Sequence, residues 1–480
     1  MQILKNKVFV YLFTRYFTYG LQFVMSLIIA VRLGPYYLGI YGIIQLILNY
    51  INQINFGIPH SLNVLLVHNK QNLKKQNSLI LNSIVLYSYL NIFLLFVLGI
   101  VKYFGFTKYG EIDIDKYLLV IIFIAALTYY NSIFSTVIRF KNKVNQMSII
   151  GSIPVVVDMC VIWFFEKEEL VMALTITNLI SCSFTIIYYK YIGVYPKCKK
   201  DDINISMQST ILKKGIFLFM YNSCLYFMLL GIRTIVSTNY SIKEFGYFTF
   251  SFTIVNAIML LLNSLDIIIF PKIIDKLSVK NNKECVSTLN NLRIGYVLTS
   301  HFLIYMALFA FPIFLFFFPG YKDAIYMMDM IALAVLMRTN LYGYNSLLIA
   351  QNKEKIASQI SIISLITSLT LGLLFSVYFH LAIPKVVMSI LIAYLVCSVL
   401  MTIEGRKLIM GDNTLKSTLK HCFPLRIFIP YTIALFITLL ERESLMFLPL
   451  TVFLLLNYKE LINIRNMAFK FIKNPNIIDL

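Results

Sequence analysis

The sequence predicts an all-α integral membrane protein of about fourteen transmembrane helices, built as two related six-helix halves followed by an extra helix pair. Three observations predict it. Hydrophobic residues make up 59% of the 480 residues and charged residues 13%, and apolar runs of bilayer-spanning length recur along the whole chain. Basic residues are concentrated in alternate connections, and a helix-pair signature near the start returns about 210 residues later.

The spans are read at 8–31, 37–58, 78–101, 117–138, 147–165, 170–190, 215–238, 246–270, 294–318, 327–350, 356–379, 386–403, 426–440 and 444–458. Met1 to Lys7 is short and basic and no small-residue cleavage site follows, so the first span is expected to be kept rather than removed as a signal peptide. With the N-terminus inside, about 30 of the 42 Lys and Arg fall on inner segments and only about 9 on outer loops, the positive-inside pattern. Both termini are therefore expected in the cytoplasm, and the net charge of +20 needs no nucleic-acid partner. The cysteines, Cys160, Cys182, Cys198, Cys224, Cys285, Cys397 and Cys422, lie in spans or inner loops, with no metal-site spacing.

Span one places Arg15, Tyr19, Gln22 and Ser26 on one helical face, and a polar face in lipid should look inward. A tight Gly34-Pro35 turn leads to span two, which carries Gln45, Asn49, Asn52 and Gln53 and is expected to break near Gly57 and Pro59. An inner loop with Lys70, Lys74 and Lys75 follows. The outer loop 102–116 mixes Glu111, Asp113 and Asp115 with Lys102, Lys108 and Lys116. Span four leaves the membrane at Arg139-Phe-Lys-Asn-Lys, span five carries Asp158, and span six ends on the interfacial anchor Tyr188-Tyr-Lys-Tyr.

Residues 193–214 are read as a cytoplasmic linker between a first lobe, 1–192, and a second, 215–410, with the extra pair and a basic tail in 411–480. Matching Gly39 to Gly246 brings Tyr19 onto Tyr226, Asn49 onto Asn256 and Arg15 onto Asn222. A slightly larger offset matches Pro59 to Pro271. Six spans per half is an even number, so the copies keep one orientation, a parallel repeat. Of the final pair, 444–458 is short and contains Pro449, which leaves a re-entrant hairpin open. The tail, with Lys459, Arg465, Lys470 and Lys473, suits contact with anionic phospholipid.

The phrase Arg32-Leu-Gly-Pro-Tyr-Tyr-Leu-Gly-Ile-Tyr-Gly resembles the first loop of the polysaccharide-repeat-unit (O-antigen type) flippases, within the multidrug/oligosaccharidyl-lipid/polysaccharide exporter superfamily. Phe56-Gly-Ile-Pro-His-Ser-Leu, Phe245-Gly-Tyr-Phe and Phe270-Pro-Lys-Ile fit the same pattern, so the resemblance covers about residues 1–410. It implies a V-shaped pair of lobes around a central cavity. It further implies an undecaprenyl-pyrophosphate-linked oligosaccharide as cargo, moved across the bacterial inner membrane by alternating access, with polysaccharide polymerase and chain-length proteins as partners. Where many relatives carry an acidic residue just before Arg-Thr-Ile of span seven, this chain has Ile232.

Six charged groups sit well inside spans: Arg15, Arg233 and Arg338, with Asp158, Asp266 and Asp329. Each costs roughly 2.5–3.5 kcal/mol near the bilayer centre, so each should face the interior or a partner. Two readings stand. The arginines could line a phosphate path, because guanidinium offers bidentate donors and keeps its charge when buried, or they could close three ion pairs with the aspartates. Gln45, Asn49 and Asn256 could bond sugar hydroxyls or neighbouring helices. Asp266, Asp158 and Asp329 are the groups through which a proton or sodium gradient could be coupled, and no other cofactor is expected. His60, His301 and His380 have no ligand-spaced neighbours. No phosphate-binding Gly-rich loop, nucleophile with base, or metal cluster is found, so no enzyme is expected. A multidrug antiporter is the rival within the superfamily, and a membrane polysaccharide polymerase or ligase the rival of another class, although the longest outer loop is only about 15 residues.

Cysteines introduced at residues 108–115 should react with an impermeant thiol reagent applied from outside, and those at 197–202 should not. The reverse labelling would overturn the charge-derived orientation.

Overall fold

The computed structural model describes residues 7–105, 108–109, 112–141, 144–196, 202–278, 282–409 and 414–473. They form sixteen α-helices: α1 (Lys7–Gln53), α2 (Ile58–His68), α3 (Leu73–Tyr103), α4 (Asp115–Phe140), α5 (Val144–Val161), α6 (Lys167–Tyr191), α7 (Ile205–Asn239), α8 (Ile242–Leu277), α9 (Asn282–Phe316), α10 (Ile325–Thr339), α11 (Tyr344–Ala350), α12 (Glu354–Leu373), α13 (Ile383–Ile409), α14 (Leu415–Cys422), α15 (Leu425–Leu439) and α16 (Phe447–Lys473). Helix is what lipid demands, since each backbone N–H and C=O is then satisfied within its own segment. The exception is a short antiparallel ribbon in the 102–116 loop, where Lys108–Tyr109 pairs with Ile112–Asp113.

Among the described residues nine helices are long and apolar enough to cross a membrane, or up to eleven if two bent pairs each count as one span. The gap to the fourteen expected has structural reasons. The two expected spans in α1 count as one helix, broken at Gly34. The apolar part of α5, Ile149–Val161, is shorter than a span, and part of α8 has side chains outside the described residues. Helix α16 meets the length and composition of a span, with one non-helical residue at Asn457.

Two segments differ from the sequence reading. The inner loop expected after Pro59 is mostly helix α2, because proline suits a first helical turn and Leu62, Leu65 and Leu66 give the segment a buried face. The expected tenth span is interrupted after Thr339, where Gly343 takes φ 89° and α10 and α11 meet at 41°.

The chain forms two compact units. One is built on Phe13–Ser223 with Tyr240–Gly246, the other on Cys224–Asn239 and Tyr247–Leu480. In the first, α4 packs against α2, α3, α5 and α6, and the core holds Leu62, Leu66, Tyr87, Tyr129, Ile133 and Phe134. Tyr87 and Tyr129 stack at 4.8 Å, and the Tyr129 hydroxyl donates to the Ile51 carbonyl at 2.5 Å, which also accepts from the Ile54 backbone N–H at the end of α1. Asn82 of α3, fully buried, donates to the Asp202 carbonyl (3.0 Å) and accepts from the Asn204 backbone (2.9 Å), which fastens the start of α7. In the second unit α10 lies among α9, α13 and α15, α12 packs on α13, and α16 packs on α9 and α15.

Two glycines of the first unit set its tightest crossing. A Cβ on Gly246 would collide with the Pro35 carbonyl oxygen, and one on Gly39 would collide with the Ile242 carbonyl oxygen. Each therefore lies on the backbone of the other's helix. Gly34 is glycine for a different reason: it has open space around it but adopts φ 66°, where a side chain is strained. Gly34→Ala is expected to cost about 1–2 kcal/mol. Gly246→Ala should cost at least the upper end of the 1–3 kcal/mol usual for overpacking, because the obstructing atom is backbone and cannot rotate away. Thermal melting of the detergent-solubilised variants checks the order, and a Gly246→Ala protein that melts like wild type would show that the crossing is not tight.

Candidate functional site

The polar face predicted on span one is turned toward α5. Arg15 Nε donates to the Tyr19 hydroxyl at 2.9 Å, and the guanidinium carbon stands 4.7 Å from that ring's centre. Gly151 of α5 makes room for it: a Cβ there would lie 3.1 Å from Arg15 Nη1. Gln22 Nε2, two turns on from Arg15, donates to the Gly151 carbonyl at 3.0 Å. Ser26 instead bonds its own helix at Phe23.

Two turns further along α5, about 10 Å by helical rise, the Asp158 carboxyl meets Thr177 of α6 at 2.5 Å. The Thr177 hydroxyl, which donates to the Asp158 carboxyl, also lies 2.9 Å from the Leu174 carbonyl and can share its proton between the two acceptors. Tyr41 interacts with Asp158 and hydrogen-bonds Gln45. Gln53 Nε2 donates to Ser223 Oγ at 3.1 Å, a helix-to-helix bond, and Asn49 is half-buried.

In the second unit Arg233 is 3% exposed, with its guanidinium carbon 4.9 Å from the centre of the Phe252 ring. The neighbouring Ile232 is buried where Gly372 of α12 approaches, an apolar contact. Arg338 is exposed and hydrogen-bonds Tyr394 of α13. Asp329 is 1% exposed, and neither carboxyl oxygen has a hydrogen-bond partner among the described residues. Its polar surroundings include Tyr326 and Glu443. Nine residues at 100° each put Asp329 and Arg338 on opposite sides of α10, so helical geometry precludes an ion pair between them. Asn256 is half-buried, and the Asp266 side chain lies outside the described residues.

Of the nine residues singled out from sequence, the first unit gathers Gln45 and Asp158 around Tyr41, with Arg15 two turns away on the same face of α5. The second keeps Arg233, Arg338 and Asp329 in separate surroundings. Sequence reasoning missed Arg293, placed there at the edge of span nine. It is buried and donates to the carbonyls of Asn340 (2.8 Å) and Tyr342 (3.3 Å), the groups freed by the break after α10. The polar run Thr339-Asn-Leu-Tyr-Gly inside an expected span was the signal for that break. His301 is buried and bonded to Tyr305 at 3.0 Å, a packing role. Among the described residues no group of three His, Cys, Asp or Glu could hold a metal.

An aspartate buried without a partner behaves differently on substitution from one that anchors an ion pair. Asp329→Asn is expected to melt at or above the wild-type temperature. A loss of about 3–5 kcal/mol, the usual cost of breaking a buried pair, would show that Asp329 holds a cation.

No family model and no curated protein matches the chain. Solved structures do match by fold. The lipid II flippase MurJ in an inward closed conformation superposes with a TM-score of 0.70 at 13% identity, covering 96% of this chain and 99% of that one. An inward-facing multidrug resistance MATE family transporter of the MOP superfamily gives 0.65 at 14% identity, covering 86% and 100%. A MATE structure in the straight conformation gives 0.61 at 13% identity, covering 87% and 98%. The chain has the all-helical membrane fold that these flippase and exporter structures share.

Proposed function

We propose that the protein is a flippase that carries an undecaprenyl-pyrophosphate-linked oligosaccharide repeat unit from the inner to the outer leaflet of the bacterial cytoplasmic membrane. Alternating access moves the unit, which then serves O-antigen, capsule or related surface polysaccharide assembly. The observation that carries this reading over efflux is length. The two exporter structures are matched over 98–100% of themselves but cover only 86–87% of this chain, whereas the flippase covers 96%. The difference, about 45 residues, is the size of a short helix pair. The repeated likeness to exporters supports multidrug efflux as the second reading.

On the flippase reading Arg15 and Arg233 contact phosphate, each within its own unit, and Arg338 contributes charge. Gln45, Asn49 and Asn256 meet sugar hydroxyls. A proton gradient drives the cycle through Asp158, which meets Thr177, and through Asp329, which is buried. Asp266 is a further candidate for coupling. Polymerase and chain-length proteins take the product on the outer face, and the basic tail rests on anionic lipid.

Deleting the gene should abolish the surface glycan and cause lipid-linked units to accumulate. Unchanged glycan with raised drug susceptibility would establish efflux instead. In the complemented strain Arg15→Ala is expected to lower export by roughly ten- to a hundredfold, the worth of a charge-assisted contact of about 1.5–3 kcal/mol. Arg15→Lys should recover only part, because it keeps the charge and loses the bidentate fork. Normal export by Arg15→Ala at wild-type protein levels would make that arginine structural.

A further inference from the structure

At one end of the second unit a cavity of about 280 Å³ opens where α9, the short helix α14 and the start of α15 meet. Helix α14 turns through 73° into α15, so one lies across the direction in which the other runs. A short helix that exposes Lys416 and Lys420, with Leu419 exposed beside them and Thr418 buried, suits the membrane interface. This end carries the basic connections expected in the cytoplasm.

Arg293, Lys420 and Arg426 converge on the cavity, with Asn290 and His421 beside them and Val297 and Ile427 forming apolar wall. Arg426 is itself paired with the Glu460 carboxylate. The His421 ring sits between Asn290 Oδ1 (3.1 Å at Nε2) and the Tyr344 hydroxyl (3.0 Å at Nδ1). A neutral imidazole donating to Asn290 and accepting from Tyr344 satisfies both contacts, which leaves the charge of the site with the arginines and lysine. Arg293 is held in place: it is 6% exposed, bonded to two carbonyls and stacked 4.7 Å over Tyr344. The first turn of α15 adds the positive end of a 15-residue helix. Around the mouth, Ile294, Leu419, Leu425 and Phe428 are exposed apolar side chains.

We propose that this cavity binds the headgroup of an anionic phospholipid of the same leaflet, its phosphate among Arg293, Lys420 and Arg426 and its acyl chains along the exposed apolar rim. Basic pockets between helices at the cytoplasmic surface hold such headgroups. The volume accommodates a glycerophosphate and falls below the roughly 300–1,000 Å³ of pockets for larger ligands, which argues against the oligosaccharide of the cargo. The apolar rim is what a free phosphate would not need. The site is independent of the flippase reading, since an efflux protein in the same membrane would meet the same lipids.

The test uses the purified full-length chain, delipidated in detergent and titrated with dioleoyl-phosphatidylglycerol, dioleoyl-phosphatidylcholine, inorganic phosphate or undecaprenyl pyrophosphate. Bound lipid is counted by native mass spectrometry alongside thermal melting. Phosphatidylglycerol should be retained and raise the melting temperature, and phosphatidylcholine should do neither. Lys420 is exposed, so Lys420→Gln should fold normally and weaken phosphatidylglycerol binding roughly fivefold, the share of one basic residue beside an anionic lipid. Lys420→Arg should restore it. The paired substitution Arg426→Gln with Glu460→Gln leaves no orphaned charge and should weaken binding further. Equal retention of both phospholipids, no effect of Lys420→Gln, or equal competition by inorganic phosphate would overturn the proposal. Stronger competition by undecaprenyl pyrophosphate would assign the site to the cargo and overturn it as well.

Discussion

The approach of two backbones at Gly39 and Gly246 is the constraint that leaves the first unit least room for a side chain. Between helices in lipid there is no hydrophobic driving force, because acyl chains are as apolar as leucine, so association relies on close van der Waals contact. A crossing at which each glycine meets the carbonyl of the other's helix can be made only without side chains. It also gives the sequence repeat a physical sense. The expected repeat matches these two glycines to each other, and each of them meets a carbonyl of the other's helix.

A second constraint is that polar groups in a membrane need partners. Most buried hydroxyls solve it locally: Ser83, Thr136, Ser361, Ser364 and Thr402 each donate to the carbonyl four residues back. In α12 the back-bonded Ser361 and Ser364 share a narrow buried face with Ser368 and Gly372, against which neighbouring helices can close. Arg293 is the opposite solution, a charge brought in to satisfy carbonyls released by a break. Against that background Asp329 stands apart, buried with neither carboxyl oxygen partnered among the described residues.

Much of the fold was legible because it follows from apolar length. Span limits fell within a few residues for α3, α4, α6 and α15, whereas α9 begins twelve residues before the expected span, and the Gly34-Pro35 turn was readable because only a glycine takes φ 66° without strain. Helix α2 was not, since it is decided by its tertiary partner, the Leu62–Leu66 core, and the α10–α11 break showed in the sequence only as the polar run 339–343, while its partner Arg293 did not show. Of the site, the facing of Arg15 and Gln22 was readable from helical periodicity. Their meeting with Gly151 was not, because nothing local in a sequence tells which helix lies opposite. Likewise the Asp158–Thr177 contact joins residues on different helices whose pairing depends on packing.

A flippase and an exporter on this fold differ in what crosses the bilayer, so transport of the lipid itself is the decisive observable. The purified protein would be reconstituted into vesicles carrying a fluorescent undecaprenyl-pyrophosphate-linked oligosaccharide, with a proton gradient imposed. The fraction of label accessible to an impermeant quencher would then be followed in time. Flipping requires the inner-leaflet label to become accessible at a rate that depends on the protein and is slowed by Arg15→Ala. Label that stays inaccessible, while the same vesicles exchange a cationic dye for protons, would contradict the flippase reading.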